Sequence, residues 1–348
     1  MDMDFSPEDI AFREEVRAFL KDNLPARLRD GARRTPGVFV EPDIGMEWHR
    51  ILFRQGWVAP HWPKEDGGTG WTPTQKFIFE KECALAGAPS LAILGLRLVG
   101  PVICSFGTPE QKARFLKPLM AGEVVSTFSM TEPQAGADPT EFTCKAYRDG
   151  DAWVIEGEKW FSSNARFASF LIVMAVTNPE NPPHGRMSML IVPADTPGIE
   201  FIRHSQTMGD SKGENDGTHA YIRYNKVRVP LDAMLGGPGE GFKVAQARLG
   251  GGRVHHAMRT VGKCQRFIDM MLERAVSRRT KGKMLGDHQF VQGKIADSII
   301  ELEQFRCMVL KTAWIIDEIE AGRMPHGASR NHIGMCKVAM ANVYGNIA

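Results

Sequence analysis

Two short segments hold most of the chemistry this chain can offer. Residues 130–142 read MTEPQAGADPTEF and residues 157–165 read GEKWFSSNA. Both lie in strand-patterned sequence, and both set turn amides and small hydroxyls beside apolar side chains. Thr131, Gly136 and Ala137 belong to the first, Ser162 and Ser163 to the second, with Phe128, Met130 and Phe161 close by. Donors next to rings suit a flat, electron-accepting cofactor such as a flavin, whose faces need apolar contact and whose polar edge needs hydrogen bonds. Each residue also has an ordinary reading: Thr131 as a strand or turn threonine, Ser163 as a hairpin serine, Phe161 as a core phenylalanine.

Bulk properties exclude several other classes. A chain of 348 residues exceeds what one core usually supports, so two or three domains are expected. An apolar share of 43% with 24% charged residues is that of a globular protein. The net charge of +2, with signs mixed throughout, offers no basic face for nucleic acid or an anionic membrane. Cys83, Cys104, Cys144, Cys264, Cys307 and Cys336 are widely spaced with no metal-ligand pattern, so they read as buried free thiols in a reducing compartment, and no metal site is expected. The acidic start, MDMDFSPEDI, lacks the features of a signal peptide, and the longest apolar runs, such as FLIVMAV at 170–176, are too short for a bilayer. A cytoplasmic protein without a membrane span follows as the expectation.

The elements that must position the two segments come in three blocks. Residues 1–121 read as helical, with Ser6-Pro7, Thr72-Pro73 and Thr108-Pro109 as start signals; Gln75 and Gln111 stand at the capping-box position of the last two. Upstream of those two, WPKEDGGTGW (62–71) is a glycine-rich loop. Residues 122–236 change to short β-branched runs at 124–130, 152–155, 170–176, 187–192 and 219–229, predicting a small antiparallel β domain. Residues 237–348 return to the helical period, with long helices predicted over 242–277, 287–321 and 328–348. The last residue falls inside an amphipathic pattern without a stop signal, so the final bundle reads as incomplete.

In this setting the chain resembles the acyl-CoA dehydrogenase family along nearly its whole length. The matching pieces are Phe106-Gly107-Thr108 with Glu110-Gln111, Leu116-Lys117-Pro118, MTEPQAGAD, GEKWFSSNA, VPADTPGIE (192–200), KVRVP (226–230), GPGEGF and SRRTKGKMLGDHQ (277–289). The segment RLGGGRVHHAMR (248–259) looks most like the branch with large multidomain mitochondrial members and their bacterial relatives. The resemblance implies an α+β fold: an N-terminal all-α domain, a central antiparallel β domain and a C-terminal α-helical bundle.

It also implies an FAD-dependent oxidoreductase of fatty acid metabolism and β-oxidation. Such an enzyme desaturates an acyl-CoA thioester to the trans-2-enoyl-CoA; a carboxylate takes the α-proton and the β-hydrogen leaves as hydride to flavin N5. Phe128, Met130 and Thr131 would line one side of the ring system, with the Thr131 amide and hydroxyl at its pyrimidine end. Phe161 stands where relatives often have tryptophan, and Ser163 where they have a hydroxyl near N5; Ser162 lies between them. Gly136-Ala137-Asp138 replaces the usual G-S-D, losing one side-chain contact while keeping the turn amides. Arg278, Thr280, His288 and Gln289 match a segment that in relatives reaches the FAD of a neighbouring subunit, which implies a homodimer or homotetramer. Lys281 replaces the usual phenylalanine there, and the alternative reading is a solvated basic turn. Arg253 matches a position near CoA or the acyl-binding helix, while His255 and His256 point about 100° apart on a helix and read as packing or surface residues.

The base cannot be named. Relatives place it on a loop beyond a glycine-rich segment that this sequence does not reach, or just before the position of Arg253, which here is Gly252 after Gly250 and Gly251. Glu132 and Asp138 read as structural members of the flavin loop. A chain cut short of its natural end, a base from a partner chain, and a lost reaction all remain open. Electrons would pass to an electron-transfer flavoprotein or equivalent carrier. Rival readings are a flavin monooxygenase or oxidase on the same fold and a non-catalytic FAD-binding subunit of a heteromer. Acyl chain length would depend on packing around 84–100, including Gly87 and Gly95, where small residues suggest room for a bulky tail.

Overall fold

The computed structural model describes residues 5–35, 40–91, 95–206, 217–325 and 327–348, and of 248–251 the backbone alone. Six helices come first: α1 (Pro7–Asn23), α2 (Ala26–Arg34), α3 (Pro42–Gln55), α4 (Pro73–Ala86), α5 (Gly100–Phe106) and α6 (Pro109–Ala121). Eight strands follow: β1 (Ser126–Ser129), β2 (Lys145–Asp149), β3 (Ala152–Ser163), β4 (Phe170–Val176), β5 (Met187–Pro193), β6 (Ile199–Ser205), β7 (His219–Pro230) and β8 (Met234–Leu235). The rest comprises α7 (Gly241–Ser277), the hairpin β9 (Arg279–Thr280) and β10 (Lys283–Met284), α8 (Gln289–Glu320) and α9 (Arg330–Ile347). The α, β, α order predicted from hydrophobic period is thus the observed order.

The chain forms two compact units, one of Met1–Asp30, Trp71–Ala88 and Gly250–Ala348, the other of Gly31–Gly70 and Pro89–Leu249. In the first, α1 packs on α4, α4 on α8 and α8 on α9. The predicted caps start its helices: Ser6 Oγ accepts from the Asp9 amide at 3.1 Å, and Thr72 and Gln75 close a reciprocal capping box. Val16, Phe77, Phe305 and Val309 fill the interior. Gly262 lets α7 approach α4, since a Cβ there would stand 2.6 Å from the Lys81 carbonyl oxygen.

The second unit holds the sheet, ordered β6-β7-β3-β2-β4-β5-β8, with β1 alongside β4. Pairing is mainly antiparallel, as expected. It becomes mixed because β1 runs parallel to β4, and β2 meets β4 in parallel at Lys145 and Val176. β4 and β5 are buried at six of their seven positions each, which is why they read as unbroken apolar runs. β2 (KAYRD) and β6 (IEFIRHS) were not predicted; both are mostly exposed and lack an apolar run. Helices brace this unit. Trp62, from the glycine-rich loop, donates to the Leu96 carbonyl at 2.5 Å, and its ring lies where a Cβ on Gly100 would fall. Gln111, beyond its capping role, donates to the carbonyls of Asp232 and Met234 at 2.8 and 3.0 Å. Of the small-residue stretch 84–100, residues 92–94 lie outside the described residues.

The expectation of buried thiols holds for Cys104, Cys144, Cys264 and Cys336, whereas Cys307 is exposed and Cys83 half-buried; no disulfide joins any two of them. Among the described residues no helix is long and apolar enough to cross a membrane.

Candidate functional site

The two segments meet in space. After Ser129 the chain leaves β1 and folds back through a small loop in which Glu132 and Ala135 exchange backbone hydrogen bonds of 2.9 and 3.1 Å. This loop lies against the end of β3: the Trp160 amide donates to the Thr131 carbonyl at 2.7 Å. Beneath it the Tyr224 hydroxyl donates to Ser129 Oγ at 2.8 Å, and Ser129 shares a 2.9 Å bond with Ser162 Oγ. Ser162 and Phe128 are buried, so their side chains support the site from the core rather than offering an open contact.

Thr131 and Met130 are half-buried, and Gly136 and Ala137 are exposed. Among the described residues, the amides of Thr131, Gly136 and Ala137 and the Thr131 hydroxyl donate to no protein acceptor. Asp138 is occupied locally: it accepts from the Thr140 amide and hydroxyl, which hold its carboxyl below the usual range.

Strand β3 presents its residues through two irregularities. Its register against β7 shifts between Ile155 and Gly157 and again between Lys159 and Ser162. A one-residue bulge reverses which face each later residue occupies. At the first, the extra residue lies on β7, where Lys226 takes φ 52°, so β3 keeps its alternation and Lys159 faces inward on the same side as Ile155. The second, with Phe161 at φ 53°, turns Phe161 outward, where it is 49% exposed. The core reading of Phe161 therefore fails for a backbone reason. Its ring stacks on Trp160 at 5.3 Å between centroids and 8° between planes, and Trp160 stacks in turn on Tyr221. Ser163 Oγ is 2.8 Å from His219 Nδ1, its register partner on β7.

Behind the loop lies an ion pair that sequence reading passed over. Lys159 and Glu132 are 2.7 Å apart, with side chains 0% and 1% exposed. Glu132 also accepts from the Thr143 amide (2.6 Å), the Thr143 hydroxyl (3.0 Å), the Cys144 amide (3.0 Å) and Gln134 Nε2 (2.7 Å). Lys159 further donates to the Met130 carbonyl at 2.7 Å and sits over the Phe142 ring at 4.4 Å. Burial pushes the Glu132 carboxyl upward, but the Lys159 ammonium and the Thr143 and Cys144 amides outweigh it and hold the carboxyl below its usual range. Cys144, next to this pair, is pushed up to about 11 by burial and stays a thiol. A lone strand lysine ordinarily faces water, and the signal that could have singled it out is its period-two spacing from the core residue Ile155.

The remaining predicted residues lie in the first unit. Arg278 directly follows α7 and is exposed; the Leu285 amide donates to its carbonyl at 2.8 Å. Its guanidinium has no protein partner among the described residues. Thr280 opens the hairpin whose turn, Lys281-Gly282, takes positive φ at both residues, so Lys281 occupies a left-handed turn position. His288 is the residue before α8; its Nε2 is buried without a hydrogen-bond partner among the described residues. Gln289 is exposed beside it. Arg253 is exposed on α7, and His256 Nδ1 receives a 3.1 Å bond from Arg259, in keeping with a packing role. Gly250 and Gly251 are described by backbone only.

These features fit FAD. In the second unit, an outward ring beside amides unclaimed among the described residues matches a flat ligand with an acceptor-rich edge; in the first unit, taken by itself, a guanidinium and a buried imidazole nitrogen without partners among the described residues match a phosphate-bearing group.

Comparison with known proteins agrees. Family models for the N-terminal, middle and C-terminal domains of acyl-CoA dehydrogenase match residues 6–123, 127–223 and 239–348 in that order. Acyl-CoA dehydrogenase family member 11 of Rattus norvegicus is 38% identical over 251 residues, covering 71% of this chain and 32% of that protein. Probable acyl-CoA dehydrogenase FadE2 of Mycobacterium tuberculosis is 41% identical over 222 residues, covering 62% of this chain and 53% of that protein. The chain thus spans about a third to a half of the length of these curated relatives. A solved acyl-CoA dehydrogenase from Geobacillus kaustophilus superposes with a TM-score of 0.81 at 25% identity, covering 100% of this chain and 87% of that one. Motifs, architecture and all three consecutive domain models coincide: the chain belongs to the acyl-CoA dehydrogenase family.

Proposed function

We propose that the protein is an FAD-dependent acyl-CoA dehydrogenase that converts an acyl-CoA thioester to its trans-2-enoyl form and passes the electrons to an electron-transfer flavoprotein or equivalent carrier. The observation that carries this is the unclaimed donor set of Thr131, Gly136 and Ala137 beside the outward ring of Phe161. Bound FAD would supply hydride acceptance, chemistry that amino-acid side chains lack. The chain supplies binding and orientation. Thr131 offers an amide and a hydroxyl to the polar edge of the ring system, Met130 and Phe161 offer apolar contact, and Ser163, fixed by His219, offers a second hydroxyl. Arg278, with Thr280, His288 and Gln289, serves the phosphate and adenosine portion, and Arg253 the CoA side. No catalytic base is assigned.

The functional division falls at 1–121, 122–236 and 237–348, supported by the limits of the three domain models. We place the protein in the cytoplasm as a homodimer or homotetramer. Self-association is supported by large apolar side chains left open on the C-terminal helices, among them Phe290 at 78% and Val338 at 68% exposure.

Anaerobic titration of the purified protein with acyl-CoAs of graded chain length tests the proposal, with bleaching of the flavin absorbance and slow reoxidation in air as the expected result. Rapid oxygen consumption would instead indicate an oxidase or monooxygenase. Bound FAD that stays oxidised until a second chain is added would indicate a non-catalytic subunit. A protein that takes up no FAD would refute the cofactor assignment.

A further inference from the structure

The buried pair does more than tie a loop to a strand. Lys159 Nζ donates to the Met130 carbonyl and to Glu132 Oε1, each at 2.7 Å, and its side chain is fully buried. The Met130 carbonyl and the Thr131 amide belong to one peptide group. A full positive charge hydrogen-bonded to the carbonyl draws electron density towards oxygen and leaves the N–H a stronger donor, as in any polarised hydrogen-bond chain. That N–H has no acceptor within the described protein. The following peptide is fixed as well, because Trp160 donates to the Thr131 carbonyl at 2.7 Å. Glu132 does not cancel the effect: its charge is shared among Thr143, Cys144 and Gln134, so the positive end of the pair faces Met130.

The geometry points to Lys159 as an electrostatic positioning residue that polarises the Met130–Thr131 peptide, so that the Thr131 amide binds a ligand gaining negative charge more tightly than the same ligand when neutral. The inference rests on the flavin reading above and assigns within it a residue that touches neither cofactor nor substrate. Low local dielectric strengthens the effect, since neither member of the pair is screened by water.

The test compares wild-type holoprotein with Lys159→Met/Glu132→Gln and with Glu132→Gln alone. FAD affinity is read by fluorescence titration and the midpoint potential by equilibration with redox dyes. In the double variant the preference for the reduced over the oxidised ligand should fall about tenfold, which is about 30 mV more negative for a two-electron couple. Glu132→Gln alone keeps the ammonium and removes its counter-charge, so the potential should move the opposite way. It also decides the matter if the double variant does not fold. A purely structural role would weaken both redox forms alike and leave the potential in place. Folded, FAD-loaded variants that all share the wild-type potential would overturn the inference, whereas wild-type protein that binds no FAD would overturn the reading beneath it.

Discussion

Replacing Lys159 by methionine isolates the energetics of the site's foundation. The change leaves a carboxylate whose side chain is 1% exposed with only neutral donors: the Thr143 and Cys144 amides, the Thr143 hydroxyl and Gln134. Breaking a buried ion pair by removing one partner costs about 3–5 kcal/mol. The four surviving donors favour the lower end, so a loss of about 3 kcal/mol is expected near pH 8. Its pH dependence gives the stricter test. In the wild type the carboxyl of Glu132 lies below its usual value of 4.5, so its contribution to stability is present above that value and disappears as pH falls through the folded-state pKa. Without the ammonium, burial drives the carboxyl upward, and the folded variant then binds a proton that the unfolded chain releases. The variant therefore recovers stability as pH falls, and the gap to wild type narrows. Urea unfolding of both proteins at several pH values measures this. A further Glu132→Gln change should recover part of the loss, with a coupling of about 2 kcal/mol between the two positions. A deficit below about 1 kcal/mol, well under the typical cost of a broken buried pair, would refute the reasoning; so would one that does not change between alkaline and acid conditions.

Three further outcomes are expected. Gly157→Ala places a Cβ 2.6 Å from the Cys144 Cα at a residue with φ of 142°, so thermal unfolding should show a loss of about 2–3 kcal/mol together with weaker FAD binding; an unchanged melting temperature would refute the need for glycine at this bulge. Arg278→Ala should weaken FAD retention by about tenfold in fluorescence titration, the value of a typical charged phosphate contact, without changing the unfolding of cofactor-free protein. Asp317, pushed up to about 6 from 3.8 by burial and bonded to Thr74 at 3.0 Å, is protonated in the folded protein at pH values where the unfolded chain is ionised. Stability through this group is therefore fully present below the unfolded value and lost as pH rises through the folded one, and Asp317→Asn should raise the melting temperature at pH 8 but not at pH 4.

Much of the fold was legible because it is written locally. Ser6, Thr72 and Thr108 each carry the chemistry of a helix start within four residues, and the structure uses all three as caps. β4 and β5 announce themselves because both faces are buried. Illegible elements are those whose existence depends on a distant partner. β6 owes its strand geometry to β7, and β2 to β3, while their own residues are mostly polar. The parallel pairing of β1 with β4 likewise has no local signature.

The same distinction explains the site. Thr131, Gly136, Ala137 and Ser163 could be proposed because their chemistry follows from residue type and from motif. Lys159 and Phe161 are different, the first because its residue type argues against burial and the second because strand alternation assigns it to the wrong face. Read with period two from Trp153 and Ile155, the inward positions would be 157, 159 and 161. Lys159 accordingly lies inward opposite Ile222, whereas the extra β3 residue before Ser162 returns Phe161 to the surface. Within three positions the strand buries a charge and exposes a ring. Both results are costly for stability alone, the first through desolvation and the second through lost apolar burial. Glu132, Met130 and Phe142 compensate the buried ammonium from within the protein. Among the described residues nothing comparable covers the open face of Phe161, and that imbalance supports the proposal that this end of β3 is a ligand surface.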